Sequence, residues 1–237
     1  MALHPHPRYA LFLSCEHGGN HIPKNLRTLF HGHEETLRGH RGYDKGALDV
    51  ARHLSKALDA PLVSATVSRL VVDLNRSLGN RNLYSEFTRI LPKAQRDALI
   101  AEHYLPYRQA VEQGIETLLA EKDVVIHISV HSFTPAMDGK PRNADIGLLY
   151  DPARQSEVTF VTKWLSALRQ AMPSARLRRN YPYKGASDGL TTALRRKWDN
   201  ALYAGIELEI NQGLLNDAAE RDLLKKALVT TLRASLR

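Results

Sequence analysis

The chain has 237 residues, 43% of them hydrophobic and 24% charged, enough to bury one large core without disulfides or a structural metal. Its single cysteine, Cys15, excludes an intrachain disulfide and fits a reducing compartment; no apolar run nears the roughly 18 residues of a membrane span, and Ala10–Leu13 is too short for a signal-peptide core, so a cytoplasmic protein is expected. The net charge of +8 sits in one window, Lys163–Lys197, where nine Lys and Arg face one acid, Asp188; such a window is a solvated face, an anion-binding wall or, third, a nucleic-acid contact.

In chain order, Tyr9–Cys15 reads as a buried strand that stops at the polar, Gly-rich turn Glu16–Pro23, in which Gly18 and Gly19 permit tight turns. After Asp44, apolar residues from Ala47 to Leu58 recur at helical spacing, and the helix ends before Pro61. Leu62–Val67 is the next strand, Val71 and Val72 lead into Asp73-Leu74-Asn75-Arg76, and Lys93–Lys122 is a long helical region that Pro106 must kink or split. Val124–Val130 is a strand ending at a polar turn, His131-Ser132-Phe133. Ile146–Tyr150 is a strand, Gln155–Met172 and Gly189–Asp199 are helices, and the stretch around Asn180–Lys184 shows no clear pattern. Ala204–Ile210 is the last strand, and Asn216 caps a final helix through Leu236. Strands alternating with helices throughout, without repeat or linker, predict one α/β domain over 1–237, with helices on both sides of a parallel or mixed sheet. In such sheets ligands gather outside the carboxyl ends of the strands.

Three of these strands carry chemically capable residues at or near their ends: Glu16-His17, His131-Ser132 and Glu207/Glu209. Imidazole and carboxylate are zinc ligands, and a catalytic zinc keeps three protein ligands with one open position. His17, His131 and either Asp44 or Glu16 satisfy that count. Eleven histidines cannot all be functional; His17 and His131 stand out because each follows a buried strand. Alternation along the last strand puts Glu207, Glu209 and Asn211 on one face, which reads either as the polar side of a half-exposed strand or, if it lines the pocket, as the source of a competent general base for a metal-bound water, whose pKa zinc lowers to about 7. Arg76 beside Asn75 suits a substrate carboxylate, with Arg69 a second candidate; pairing of Arg76 with Asp73 is the competing structural role. Cys15 supports a competing thiol mechanism, although core packing is its simpler role. A non-enzymatic anion- or nucleic-acid-binding module built on the basic window is the other alternative.

The strings Ser14–Pro23, Ser68–Arg76, His131-Ser132-Phe133 and Glu207–Ile210 occur in an order that resembles the N-formylglutamate amidohydrolase family, from about Leu11 to Leu215. That resemblance implies a zinc carboxypeptidase-like fold, a three-layer sandwich around a mixed sheet. It also implies a zinc-dependent hydrolase acting on the linear amide of an N-formyl or N-acyl amino acid such as N-formylglutamate. Carried over by position, His17 and His131 match the metal-ligand histidines, Asp44 an acidic position, Glu209 the catalytic glutamate, and Arg76 with Asn75 the carboxylate-binding pair. Arg178, Arg179 and Lys184 are expected to add attraction for a dianionic substrate. Two departures stand out: Glu16 occupies a place where the family usually has a small residue or proline, and Lys45-Gly46 follows the acidic position.

Overall fold

The computed structural model describes residues 8–237; His4 and His6 lie outside them. In chain order the strands are β1 (Tyr9–Cys15), β2 (Leu62–Ser64), β3 (Val124–Phe133), β4 (Ala136–Met137), β5 (Lys140–Pro141), β6 (Ile146–Leu149), β7 (Leu177–Arg179) and β8 (Tyr203–Asn211). The helices are α1 (Glu34–Arg38), α2 (Ala47–Leu58), α3 (Lys93–Leu99), α4 (Leu105–Leu119), α5 (Gln155–Ala171), α6 (Leu190–Lys197), α7 (Gly213–Asn216) and α8 (Ala218–Ser235). Six strands form one sheet in the order β2-β1-β3-β8-β6-β7, all neighbours parallel except the antiparallel pair β6–β8, so the expected mixed α/β sheet is present.

Period-2 alternation divides the core between the two faces of this sheet. Leu11, Leu13 and Cys15 of β1, Ile126, Ile128 and Val130 of β3, and Ala204, Ile206, Leu208 and Ile210 of β8 pack with α2, α5 and α8. On the opposite face Phe12, Val125 and Tyr203 pack with α4, α6 and the irregular segment that carries Leu70, Val71 and Val72. Helices on both faces complete the three layers. The same alternation turns Glu16, Ser129, His131, Glu207 and Glu209 toward the second face.

Several boundaries differ from the sequence reading for identifiable reasons. β3 continues through His131-Ser132-Phe133 because β8 stays paired with it as far as Phe133↔Asn211, and the polar side chains find buried partners on the sheet face. Leu62–Ser64 is shorter than expected, and the isolated bridge His21↔Val67 continues the pairing beyond it. Pro106 ends up near the start of α4, and the helical run passes from α3 to α4 through a π-helical turn, Ile100–Tyr104. The cap of the last helix is Asp217, whose side chain accepts from the Glu220 backbone N–H at 2.9 Å, rather than Asn216, which ends α7.

The basic window does not form one wall. Arg195 is buried on Glu157 at 2.8 Å, Lys197 reaches Glu112 at 2.9 Å and Glu116 at 2.7 Å, and Arg176 is paired with Asp145 at 2.6 Å. Glu157, fully buried, also accepts from the backbone N–H of Asp151 at 2.8 Å and of Gly205 at 3.1 Å, tying α5 and α6 to β8. Removing one partner of a buried ion pair strands the other charge. Glu157→Ala is therefore expected to destabilise the fold by about 3–5 kcal/mol, read as a drop in urea midpoint at unchanged m-value. A loss below about 1 kcal/mol contradicts this role for Glu157.

Candidate active site

The carboxyl ends of the adjacent strands β1, β3 and β8 deliver the chemistry to one place. His17 follows β1 in a loop whose two glycines serve close approach: a Cβ on Gly18 would lie 2.8 Å from the Ala65 carbonyl oxygen, and one on Gly19 2.6 Å from that of Thr66. The loop thus lies flat on the strand-end segment after β2. Asp44 is brought in by its backbone N–H, which donates to the His17 carbonyl at 2.9 Å. Gly46, at φ +81°, then turns the chain into α2, a conformation that suits glycine and accounts for one of the two departures noted above.

His17 and His131 are edge-to-face, with ring centroids 5.2 Å apart. Each uses Nε2 on a backing carboxylate: His17 donates to Asp73 Oδ1 at 2.7 Å, and His131 lies 2.9 Å from Glu16 Oε2 and 2.8 Å from Ser129 Oγ. Each turns Nδ1 toward Asp44 Oδ2, at 3.5 Å from His17 and 2.9 Å from His131. His17 Nδ1 is buried and has no hydrogen-bond partner among the described residues. One ligand atom from each of His17, Asp44 and His131 lies within 4.8 Å of the others.

The charges around this cluster call for a cation. Burial works against ionisation of Asp44, but His17 and His131 hold its carboxyl well below the usual range. Asp73 is likewise held down, against burial, by Arg69 and His17, and Glu16 by His131 and Ser129. Burial opposes charge on His131, yet its hydrogen bonds to Asp44 and Glu16 raise it well above an ordinary imidazole. Two imidazoles set among three ionised carboxylates favour positive charge at the Nδ1 positions, supplied by protons or by a divalent ion. Carboxylates behind both Nε2 atoms are also the arrangement that fixes metal-binding imidazoles in the right tautomer. The donor set therefore fits a zinc-type ion held by His17, Asp44 and His131.

Glu16 sits behind His131 instead of beside Asp44. It is fully buried, accepting from Tyr107 Oη at 2.7 Å and Ser129 Oγ at 2.5 Å, which accounts for the second departure. Glu209 pairs in register with His131 on the neighbouring strand, is 5% exposed and leaves Oε2 without a hydrogen-bond partner among the described residues. Burial pushes its carboxyl up to about 7; nearby His131 pulls it down, and Asp44 and Glu207 add repulsion. Glu207, two residues earlier, accepts from Thr191 Oγ1 at 2.8 Å.

His17, Asp44, His131, Glu207 and Glu209 line a cleft of about 490 Å³, which also takes in Asn75, Arg76, Arg142 and Lys184. Arg76 donates to the Asp188 carbonyl at 2.9 Å, its Nε is buried without a hydrogen-bond partner among the described residues, and Asp73 Oδ2 is 3.9 Å away. Asn75 accepts from the Leu190 N–H at 2.6 Å, which ties it to the start of α6. Arg69, by contrast, is committed to Asp73 at 2.9 Å and Asp44 at 3.4 Å, so it braces the cluster. Arg178 and Arg179 lie on β7 outside the cleft lining, where Arg178 bonds the Asn143 carbonyl and Arg179 bonds Tyr150 and Thr162. Cys15 packs in the apolar core, and burial pushes its thiol well above the usual value; a thiol held protonated is no nucleophile. Sequence reasoning missed the backing partners Asp73, Ser129 and Tyr107. Ser129 shares the period-2 face of His131, but nothing in the sequence links Tyr107 to Glu16.

A three-layer α/β protein in which adjacent strand ends bring a His-Asp-His cluster and a buried glutamate to one cleft has, as a class, the constellation of a hydrolase active site. The chain belongs to the N-formylglutamate amidohydrolase family, whose profile matches residues 9–216. It is thereby an amidohydrolase. Among solved structures it is similar to a gene product from Agrobacterium tumefaciens, with 30% identity and TM-score 0.82 over 97% of this chain and 91% of that one. It also shares the fold of an N-formylglutamate amidohydrolase from Ralstonia eutropha JMP134, at 18% identity and TM-score 0.69 over 98% of this chain and 94% of that one. A search of curated proteins returns no match.

Proposed function

We propose that this chain is a zinc-dependent hydrolase that cleaves the linear amide of an N-formyl or N-acyl amino acid, N-formylglutamate being the compound its family name points to. The observation that carries the reading is the convergence of His17 Nδ1, Asp44 Oδ2 and His131 Nδ1 beside the buried carboxyl of Glu209. Zinc, when bound, polarises the amide carbonyl and acidifies a water.

The chain's own residues do the rest. Glu209, raised to about 7, is near neutral pH poised to take a proton from the attacking water and to return it. The water oxygen joins the acyl carbon and the C–N bond breaks. Glu209 then passes its proton to the departing amine nitrogen, so an acid and a free amino acid leave. Arg76 and Asn75 hold the substrate carboxylate at the cleft wall, which fixes the amide relative to Glu209 and supplies the orientation that makes attack effectively unimolecular. Arg69 and Asp73 keep His17 in place.

The test is free-amine release over a panel of N-formyl and N-acyl amino acids, before and after dialysis against chelator. Activity is expected to vanish with the metal and to return with added zinc; full activity in metal-free protein overturns the reading. Arg76→Ala is expected to raise KM roughly 10- to 100-fold with a smaller change in kcat, the loss of one charge-assisted hydrogen-bonded contact. An unchanged KM removes Arg76 from carboxylate binding.

A further inference from the structure

The cleft contains one buried guanidinium that no carboxylate neutralises. Of the arginines lining it, Arg41 pairs with Glu86, Arg69 with Asp73 and Asp44, and Arg76 lies near Asp73, while Arg89 is exposed. Arg142 is only 9% exposed and forms no ion pair among the described residues.

Its position is built. The Arg142 backbone N–H donates to the Pro135 carbonyl at 2.7 Å, closing the β4–β5 hairpin beside the cleft. The guanidinium carbon lies 5.6 Å from the Phe133 ring centroid and 5.3 Å from that of Tyr183. Phe133 is the last residue of β3, two positions beyond His131. Nη2 donates to Tyr183 Oη at 3.1 Å and contacts the Met137 sulfur, leaving Nε and Nη1 without an acceptor among the described residues. Aromatic faces offset part of the cost of burying a cation and fix the plane of its fork, but they supply no counter-charge. A planar fork held this way matches a carboxylate, which can accept two parallel hydrogen bonds.

We propose that Arg142 is a specificity-determining residue that binds a second anionic group on the substrate, the side-chain carboxylate of an acidic N-acyl amino acid, while Arg76 holds the α-carboxylate. This rests on the amidohydrolase reading for the reaction, but the recognition of a dicarboxylate by Arg142 can be measured without it. The role expected of Arg178 and Arg179 thus passes to a residue outside the basic window.

The experiment compares kcat/KM for N-formylglutamate and its neutral isostere N-formylglutamine, in the wild type, in Arg142→Gln and in Arg142→Lys. The wild type is expected to prefer the dianion, and Arg142→Gln to lower kcat/KM for the dianion roughly 10- to 100-fold more than for the monoanion. Arg142→Lys, which keeps the charge without the fork, is expected to fall between them. Equal losses on both substrates, or an unchanged preference, overturn the assignment. If the wild type hydrolyses neither compound, N-formylglutamate falls as the substrate without bearing on Arg142. Calorimetric titration with L-glutamate and L-glutamine then decides the role of Arg142: wild-type selectivity for glutamate that is lost in Arg142→Gln supports it, and equal affinities in the wild type overturn it.

Discussion

Glu209→Gln is expected to lower kcat by about 10²- to 10⁴-fold, the range removed with a positioned general base, while zinc content and thermal stability stay near wild type. The substitution is nearly isosteric, and the side chain is buried beside His131 on the neighbouring strand rather than within the His17–Asp44–His131 set, so ligands and packing are kept. What is lost is an atom able to accept the water proton. A glutamine amide can hold the water but cannot take its proton, so KM is expected to move far less than kcat. Turnover within about threefold of wild type would remove Glu209 from proton transfer.

The same residue fixes the direction of the pH profile. Burial raises the Glu209 carboxyl to about 7, and a bound cation nearby draws it lower. The base is active when deprotonated, so kcat/KM should climb as pH rises through the folded-state value and fall on acidification below it. The acid limb is therefore expected at or below about pH 7 in the wild type. In Glu209→Gln the residual rate should lose that limb.

How much of this was legible in the sequence depends on the length scale of each feature. β1 reads correctly to the residue because six buried residues, Ala10–Cys15, follow the exposed Tyr9 without interruption and end at a Gly-rich loop. The sequence pattern ends β3 at Val130 because His131-Ser132 looks like a turn when no partner is visible; its continuation depends on β8, more than seventy positions away, staying in register. The two histidines, Asp44 and Glu209 could be named because each lies at or near a recognisable element end or strand face. The choice between Asp44 and Glu16 could not, since both are acids next to a candidate histidine or helix, and only the side of the imidazole each one touches separates them. The basic window misled for a related reason. Local charge density records composition, while the acids that neutralise Arg195 and Lys197 come from α5 and α4.

That division between Asp44 and Glu16 carries the second large effect. Asp44→Ala is expected to abolish both tight zinc binding and turnover, because Oδ2 is the atom toward which both Nδ1 positions point, 3.5 Å from His17 and 2.9 Å from His131. Glu16→Gln should retain the metal but weaken it roughly 10- to 100-fold, the cost of losing a carboxylate behind a ligating imidazole. Its side chain touches Nε2 of His131, on the far side of the ring from Asp44, and Tyr107 and Ser129 can still hold an amide there. Metal analysis after dialysis separates the two variants, and thermal unfolding offers a readout independent of activity. Zinc at a hundredfold excess over its Kd stabilises the wild type by about 2.7 kcal/mol, and Asp44→Ala should lose that shift. A Glu16→Gln protein that binds no zinc beside an Asp44→Ala protein that still does would exchange the two roles and turn the cluster around the opposite edge of His131.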